Sequence, residues 1–317
     1  MAISLAIYCE LGPGVDALLE RLSDNQAIGS ILPVTADADG DSLIWRGRPV
    51  AVRSPEDIVA TDIAAAIFLD DQELAERAID ALLDADVLIL DGTDSLAQRG
   101  QGAWYFGEDL APGQRQFSIA GAAASHCAAL LGLLDQVPVA VDAAICLPVS
   151  YHGKKGIDAL AYESARLLNG QPIEQKALGQ QIAFNVVADQ AGLFANQIEQ
   201  QLAEYFEAPV DVRCHVITAP VFYGHNISLI VDCNETIDYS ALLQSLGAKS
   251  RFRLASDISE HVSPASLPDD LGIDIADIRI DKRSDKRLRC TLIGDNLRDG
   301  VITNIASALE ILIKSDI

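Results

Sequence analysis

Ala64-Ala65-Ala66-Ile67-Phe68-Leu69, then Gln72 to Leu83, then Val87-Leu88-Ile89-Leu90-Asp91-Gly92-Thr93, is a stretch whose hydrophobic period changes twice. Its first and last pieces are continuous apolar runs of strand length, as strands buried on both faces are; the middle piece is apolar at helical spacing. Strand, helix, strand is the pattern of a parallel sheet covered by helices. Toward the N-terminus, Ile3 to Tyr8 predicts another buried strand, Val15 to Leu22 a helix, and Ile28 to Val34 a strand. Leu43-Ile44-Trp45 and Val50-Ala51-Val52 flank the Arg46-Gly47-Arg48 turn as a predicted hairpin. Together these segments outline a nucleotide-fold domain.

Toward the C-terminus the pattern changes. Gln98 to Gly121 is rich in Gly, Gln and Pro and reads as a loop or crossing segment. His126 to Leu134 predicts a helix, Val139 to Leu147 a strand, Ile157 to Leu168 and Gln197 to Phe206 helices. Val210 to Ala219 and Ile227 to Asp232 are β-branched strands, and Leu297 to Lys314 has helical spacing. Helices mixed with antiparallel strands make this half an α+β domain, and 317 residues suit two domains.

The net charge is −23, from 46 acidic and 23 basic residues. Such a surface aids solubility and repels nucleic acid and anionic lipid. The basic cluster Lys282-Arg283…Lys286-Arg287-Leu288-Arg289 is punctuated by Asp281 and Asp285 and reads as a solvated strand edge, not a nucleic-acid patch. Runs such as Ile227-Ser228-Leu229-Ile230-Val231 are too short to span a bilayer, and Met1 to Ile7 has no basic start, so a cytoplasmic protein without a signal peptide is expected. The six cysteines lie far apart without a metal-ligand spacing among them and the five histidines; neither disulfide nor zinc is expected.

Four stretches in order resemble the aspartate-semialdehyde dehydrogenase family. Val87 to Thr93 parallels its V-V-V-D-N-T segment, and Gln181-Ile182-Ala183-Phe184-Asn185 its I-A-F-N signature. Ala219-Pro220-Val221-Phe222-Tyr223-Gly224-His225-Asn226 resembles R-x-P-V-x-x-x-H-S, and Asp295-Asn296-Leu297-Arg298-Asp299-Gly300 with Asn304 resembles D-N-L-x-x-G-A-x-x-N. Ala161-Tyr162-Glu163 and Leu167-Leu168-Asn169-Gly170-Gln171-Pro172 look like its Usg-type paralogues. The resemblance implies an α/β chain: a Rossmann-type domain over 1–125, an α+β dimerisation domain over 126–296, and a C-terminal helix over 297–317 returning to the first domain. It implies a homodimer. Active members reduce an acyl phosphate with NADPH through a cysteine thioester, which needs a low-pKa thiolate, an acid/base and positive charge for anions.

By family position, Cys127 and His225 are the candidate catalytic residues, and Gly12 and Gly14 the candidate cofactor-binding residues. Cys127, with His126 beside it, is read at a helix start; it serves equally as a small core hydrophobe. His225 reads equally as a turn residue. Around them the pattern departs from the family. Tyr8-Cys9-Glu10-Leu11-Gly12-Pro13-Gly14 stands for G-x-T-G-x-x-G, with Glu10 beside the pyrophosphate path and Pro13 lacking a donor. Leu69-Asp70-Asp71-Gln72-Glu73 replaces S-A-G-G; these acids also suit capping of the next helix. Leu147 replaces a glutamine, Thr218 the substrate-clamping arginine, and Asn196-Gln197-Ile198-Glu199 an E-x-x-K segment. Arg213 and Lys154 are the cations left to substitute from elsewhere in the chain. The reading is a catalytically degenerate dimeric scaffold or binding protein with no cofactor. The alternatives are an active NADP-dependent semialdehyde dehydrogenase, or other chemistry by Cys127, His126 and His225.

Overall fold

The computed structural model describes residues 2–38, 40–111, 113–174, 176–206, 208–255, 262–268 and 271–315. Met1 of the expected leaderless start, and 316–317 of the expected C-terminal segment, lie outside the described residues. The chain divides into two compact units, Met1–Gly121 with Gly300–Ile317, and Ala122–Asp299.

In the first unit, β1 (Ile3–Tyr8), α1 (Pro13–Leu22) and β2 (Ile28–Val34) are followed by the hairpin β3 (Ser42–Trp45) and β4 (Arg48–Ala51). Arg46 and Gly47 both take positive φ, 49° and 74°, the two-residue turn whose twist matches a hairpin. Then come β5 (Ala65–Phe68), α2 (Gln72–Asp84), β6 (Leu88–Asp91), α3 (Ser95–Gln98), β7 (Ala103–Tyr105) and β8 (Gln116–Ile119). The sheet order is β2-β1-β5-β6-β8-β7, parallel at each pairing. Every residue of β5 and β6 is buried, the reason their sequences read as unbroken apolar runs. The expected loop Gln98 to Gly121 is corrected: it contributes β7 and β8 to this sheet.

The second unit holds α4 (Ala122–Leu131), β9 (Ala140–Leu147), α5 (Gly153–Leu168), β10 (Val187–Ala188), α6 (Leu193–Tyr205), β11 (Asp211–Thr218) and β12 (His225–Asp232). It continues through α7 (Tyr239–Ala248), β13 (Phe252–Leu254), β14 (Ile273–Asp281) and β15 (Ser284–Gly294). Its mixed sheet runs β10-β11-β9-β12-β15-β14-β13, with β9/β11 and β13/β14 parallel and the other pairings antiparallel. Val141, Ala143, Ile145, Ile227, Leu229, Val231, Leu288, Cys290 and Leu292 line one buried face, and α4 and α6 pack on this unit's strands. The other face alternates outward. There Arg213 pairs with Asp142 at 2.7 Å, and Arg287 with Asp232 at 2.6 Å. The basic cluster is therefore no sheet edge: β15 lies between β12 and β14, and carboxylates on neighbouring strands take its arginines. The chain ends with α8 (Val301–Lys314), which packs on α1 and β8 of the first unit; Ser307 on it lies 3.1 Å from the Tyr105 hydroxyl.

Candidate functional site

In the first unit, β1, β5 and β6 end side by side, where parallel sheets place their ligand sites. The turn after β1 runs into α1 through Gly12, with no side-chain cap on that helix. The Glu10 N–H donates to Asp70 Oδ1 at 2.8 Å. Asp70 Oδ2 lies 3.1 Å from where a Cβ on Gly14 would project, whereas Gly12 faces open space. A side chain at position 14 would thus press on the Asp70 carboxylate, whereas one at position 12 would meet nothing. Desolvation of the Asp70 carboxyl raises its pKa to about 7, against the hydrogen bond from the Glu10 N–H and with help from the charges of Glu10 and Asp71. Asp71 caps α2, accepting from the Leu74 N–H at 2.9 Å. Asp91, fully buried, accepts from Thr93 and, at 2.7 Å, from the Leu96 N–H at the start of α3.

In the second unit the expected helix start is corrected. The helix begins at Ala122, so Ala122-Ala123-Ala124 occupy its first turn and Cys127 falls in the second. No polar cap marks the true start, and alanines carry on smoothly from Gly121, so propensity alone does not show the boundary. Cys127 is 0 % exposed, and burial pushes its thiol well above the ordinary value. The helix dipole that favours a thiolate acts at the first turn, on alanines.

His225 is not a turn residue. The turn is Gly224, at φ 80°, and His225 opens β12 with no exposed surface. The Gly224 N–H donates to Asn296 Oδ1 at 2.8 Å, and Asn296 Nδ2 donates to Ser150 Oγ at 2.9 Å, which ties the start of β12 to the end of β15. His225 Nε2 sits 2.8 Å from His126 Nδ1. His126 Nε2 lies 3.4 Å from Asp299 Oδ2, and Arg251 reaches Asp299 Oδ1 at 3.3 Å. On the other side His225 Nδ1 lies 3.4 Å from the Tyr151 hydroxyl, whose oxygen accepts the Ala123 N–H at 3.2 Å. Burial, and then the charge of His126, hold His225 well below the ordinary imidazole value, against the opposing pull of Asp299. Room for the paired rings comes from Gly294: a Cβ there would stand 2.3 Å from the His126 ring.

The remaining positions are occupied as follows. Leu147 is fully buried in the core. Thr218, 3 % exposed, lies 3.1 Å from His152 Nε2, with the edge of Phe194 against that ring. Arg213 is held by Asp142 and Asp211, Lys154 by Asp158, and Glu199 by the Cys214 N–H. Sequence reasoning named His126 and His225 but missed Asp299 and Gly294 beside His126, Tyr151 beside His225, and Arg251 behind Asp299. Only the register of β12 against β15, which sets His225 opposite Gly294, brings them together. Among the described residues no group of three or more His, Cys, Asp or Glu is placed to hold a metal ion, and no helix is long and apolar enough to cross a membrane.

Residues 130–299 match the model of the semialdehyde dehydrogenase dimerisation domain. A USG-1 protein homolog of Pseudomonas aeruginosa is 31% identical over 182 residues, 53% of this chain and only about half, 53%, of that relative. A USG-1 protein homolog of Azotobacter vinelandii is 26% identical over 99% of this chain and 98% of its own length. The fold is that of aspartate semialdehyde dehydrogenase II from Vibrio cholerae, solved in complex with ASA, with a TM-score of 0.88 at 20% identity over 100% of both chains.

Proposed function

This chain belongs to the semialdehyde dehydrogenase family, and from that premise we propose that it is a member whose thioester chemistry has lapsed, a homodimeric scaffold or binding protein. One observation carries the reading: the first turn of α4 presents Ala122, Ala123 and Ala124, while Cys127 lies buried one turn deeper. A thioester mechanism needs an ionisable thiol at the reacting carbon, and an alanine has none. His225 supports the same reading, since both ring nitrogens face partners inside the unit. So does Thr218, a hydroxyl where a carboxylate clamp needs a guanidinium.

The turn after β1 does not suit a dinucleotide. Asp70 already takes the Glu10 N–H, and Glu10 and Asp71 add negative charge where a pyrophosphate would lie. We therefore expect no saturable binding of NADP or NAD with a Kd below about 1 mM by titration calorimetry. No phosphate-dependent NADPH formation from aspartate semialdehyde is expected from the purified protein either. Micromolar binding, or turnover abolished by Cys127→Ala, would restore the dehydrogenase reading.

The homodimer is assigned to the open face of the mixed sheet. Ala144, Ser228 and Ile217 are exposed there, small or apolar, and the Arg213–Asp142 and Arg287–Asp232 pairs lie on the same face. Flat faces of this kind form the core-like interfaces, burying ~2,000 Å² or more, of permanent dimers. Sedimentation velocity at micromolar concentration should give a single species of twice the 33.8 kDa chain mass. A monomer would sink the assignment.

A further inference from the structure

The buried chain Tyr151–His225–His126, with Asp299 beyond it, has no task in the proposed scaffold, yet one set of hydrogen-bonding roles follows from its Tyr151 end. The Tyr151 oxygen accepts the Ala123 N–H, which leaves its own hydrogen for His225 Nδ1 and places the His225 proton on Nε2. Asp299 Oδ2, with Arg251 behind it, stands 3.4 Å from His126 Nε2 as a charge neighbour, with no hydrogen bond between those two atoms. With His126 neutral, its Nδ1 is an acceptor, and His225 Nε2–H donates to it across 2.8 Å. His225 Nδ1 is then the acceptor facing the Tyr151 O–H, and the Tyr151 oxygen takes the Ala123 N–H. Each member holds one transferable proton, and each points inward.

We propose that Tyr151, His225 and His126 form a one-proton relay, so that a proton delivered to the Tyr151 oxygen ends on His126 beside Asp299. The transfer balances atom by atom. Tyr151 takes the incoming proton and passes its own to His225 Nδ1. His225 passes its Nε2 proton to His126 Nδ1, and the positive charge comes to rest on His126. Afterwards the two bonds among Tyr151, His225 and His126 are reversed: His126 Nδ1–H donates to His225 Nε2, and His225 Nδ1–H donates to Tyr151, while His126 Nε2–H still faces Asp299. The Tyr151 hydroxyl proton is then turned away from His225, at the first turn of α4. One proton thus converts a hydroxyl that donates inward into one that donates outward.

The surroundings select a single proton. His225 and His126 share one hydrogen bond, so two imidazolium rings would set donor against donor at 2.8 Å. Asp299 favours the charge on His126, Arg251 opposes it, and Cys127, next on α4, acts on Tyr151 by raising its pKa further, after burial. His152 is turned to Thr218, and Asp295 and Arg298 neutralise each other at 2.7 Å. Cys290 of β15, buried, has its thiol pushed up and stays neutral. Gly294 makes the relay possible, because any side chain there would push the two rings apart.

The test is long-range proton–nitrogen spectroscopy of the full chain with ¹⁵N-labelled histidine, from about pH 4.5 to 8.5. The other three histidines serve as internal references. As pH falls, the pair should take up one proton, His126 should become doubly protonated, and His225 should change from the Nε2–H to the Nδ1–H tautomer. Asp299→Asn should weaken proton affinity at least about tenfold, one pH unit, and Arg251→Gln should strengthen it. Independent titration of both rings, a His225 tautomer that never changes, or the same midpoint in both variants overturns the relay. If Asp299→Asn fails to fold, Arg251→Gln decides alone, at a residue that remains partly exposed: a midpoint unchanged or lowered overturns it.

Discussion

Gly294→Ala will destabilise the second unit by about 3 kcal/mol, the upper part of the range for overpacking a close-packed interior. The added methyl has no free volume: it would stand 2.3 Å from two atoms of the His126 ring and 3.3 Å from His225 Nε2. Neither ring can retreat, since both are fully buried, one on α4 and the other on β12. Separating them also strips a buried hydrogen bond, which adds roughly 1–3 kcal/mol for the groups left unsatisfied. Removing the obstacle should recover part of the loss. The double variant Gly294→Ala with His126→Ala should therefore be more stable than the two single losses add up to, by about 1 kcal/mol or more. Both tryptophans, Trp45 and Trp104, belong to the first unit, so their fluorescence would miss the effect. Urea unfolding followed by circular dichroism, or hydrogen exchange at β9, β12 and β15, reads the right transition. A loss under about 1 kcal/mol would mean that α4 and β15 yield easily, and that the histidine pair is loosely held.

The second large effect concerns Cys127. In the native protein it should alkylate with iodoacetamide at least about a thousandfold more slowly than a free cysteine, and only through opening of the fold. Two factors act together. No surface is exposed for the reagent, and burial disfavours the thiolate that would attack it. Mass spectrometry of the alkylated peptides against time, at several urea concentrations, separates Cys127 from the other five cysteines. Its rate should rise with urea in step with unfolding. Fast labelling of Cys127 in the absence of urea would return it to the role of nucleophile, and the proposed function would fall.

What was legible in the sequence depended on how much of each interaction was local. The β5 and β6 runs, the face of α2 and the Arg46-Gly47 turn each declare themselves within a few residues. Strands β7 and β8 did not, because Ala103-Trp104-Tyr105 and Gln116-Phe117-Ser118-Ile119 are too short to show a period and sit among glycines. The start of α4 was hidden for a different reason: a run of alanines favours helix without saying where it begins. Charge misled at Arg287 and Arg289, whose partners Asp232 and Asp281 come from neighbouring strands. At the site, His126 and His225 were visible one by one. Their pairing was not, because it depends on strand register and on one glycine 168 and 69 positions further on in the numbering.

The placement of α8 bears on the order in which the protein is made. The first unit is interrupted after Gly121 and completed only from Gly300 onward, by a helix packing on α1 and β8. A ribosome adding roughly 5–20 residues per second spends on the order of 10–40 s on the stretch between. During that interval the surfaces of α1 and β8 that α8 will cover have emerged and stay open to water. The second unit, one unbroken run of chain, meets no such delay and can be folded before the first is closed. Nascent chains stalled between Gly121 and Gly300 are thus the ones on which a chaperone with an apolar binding surface has most to hold.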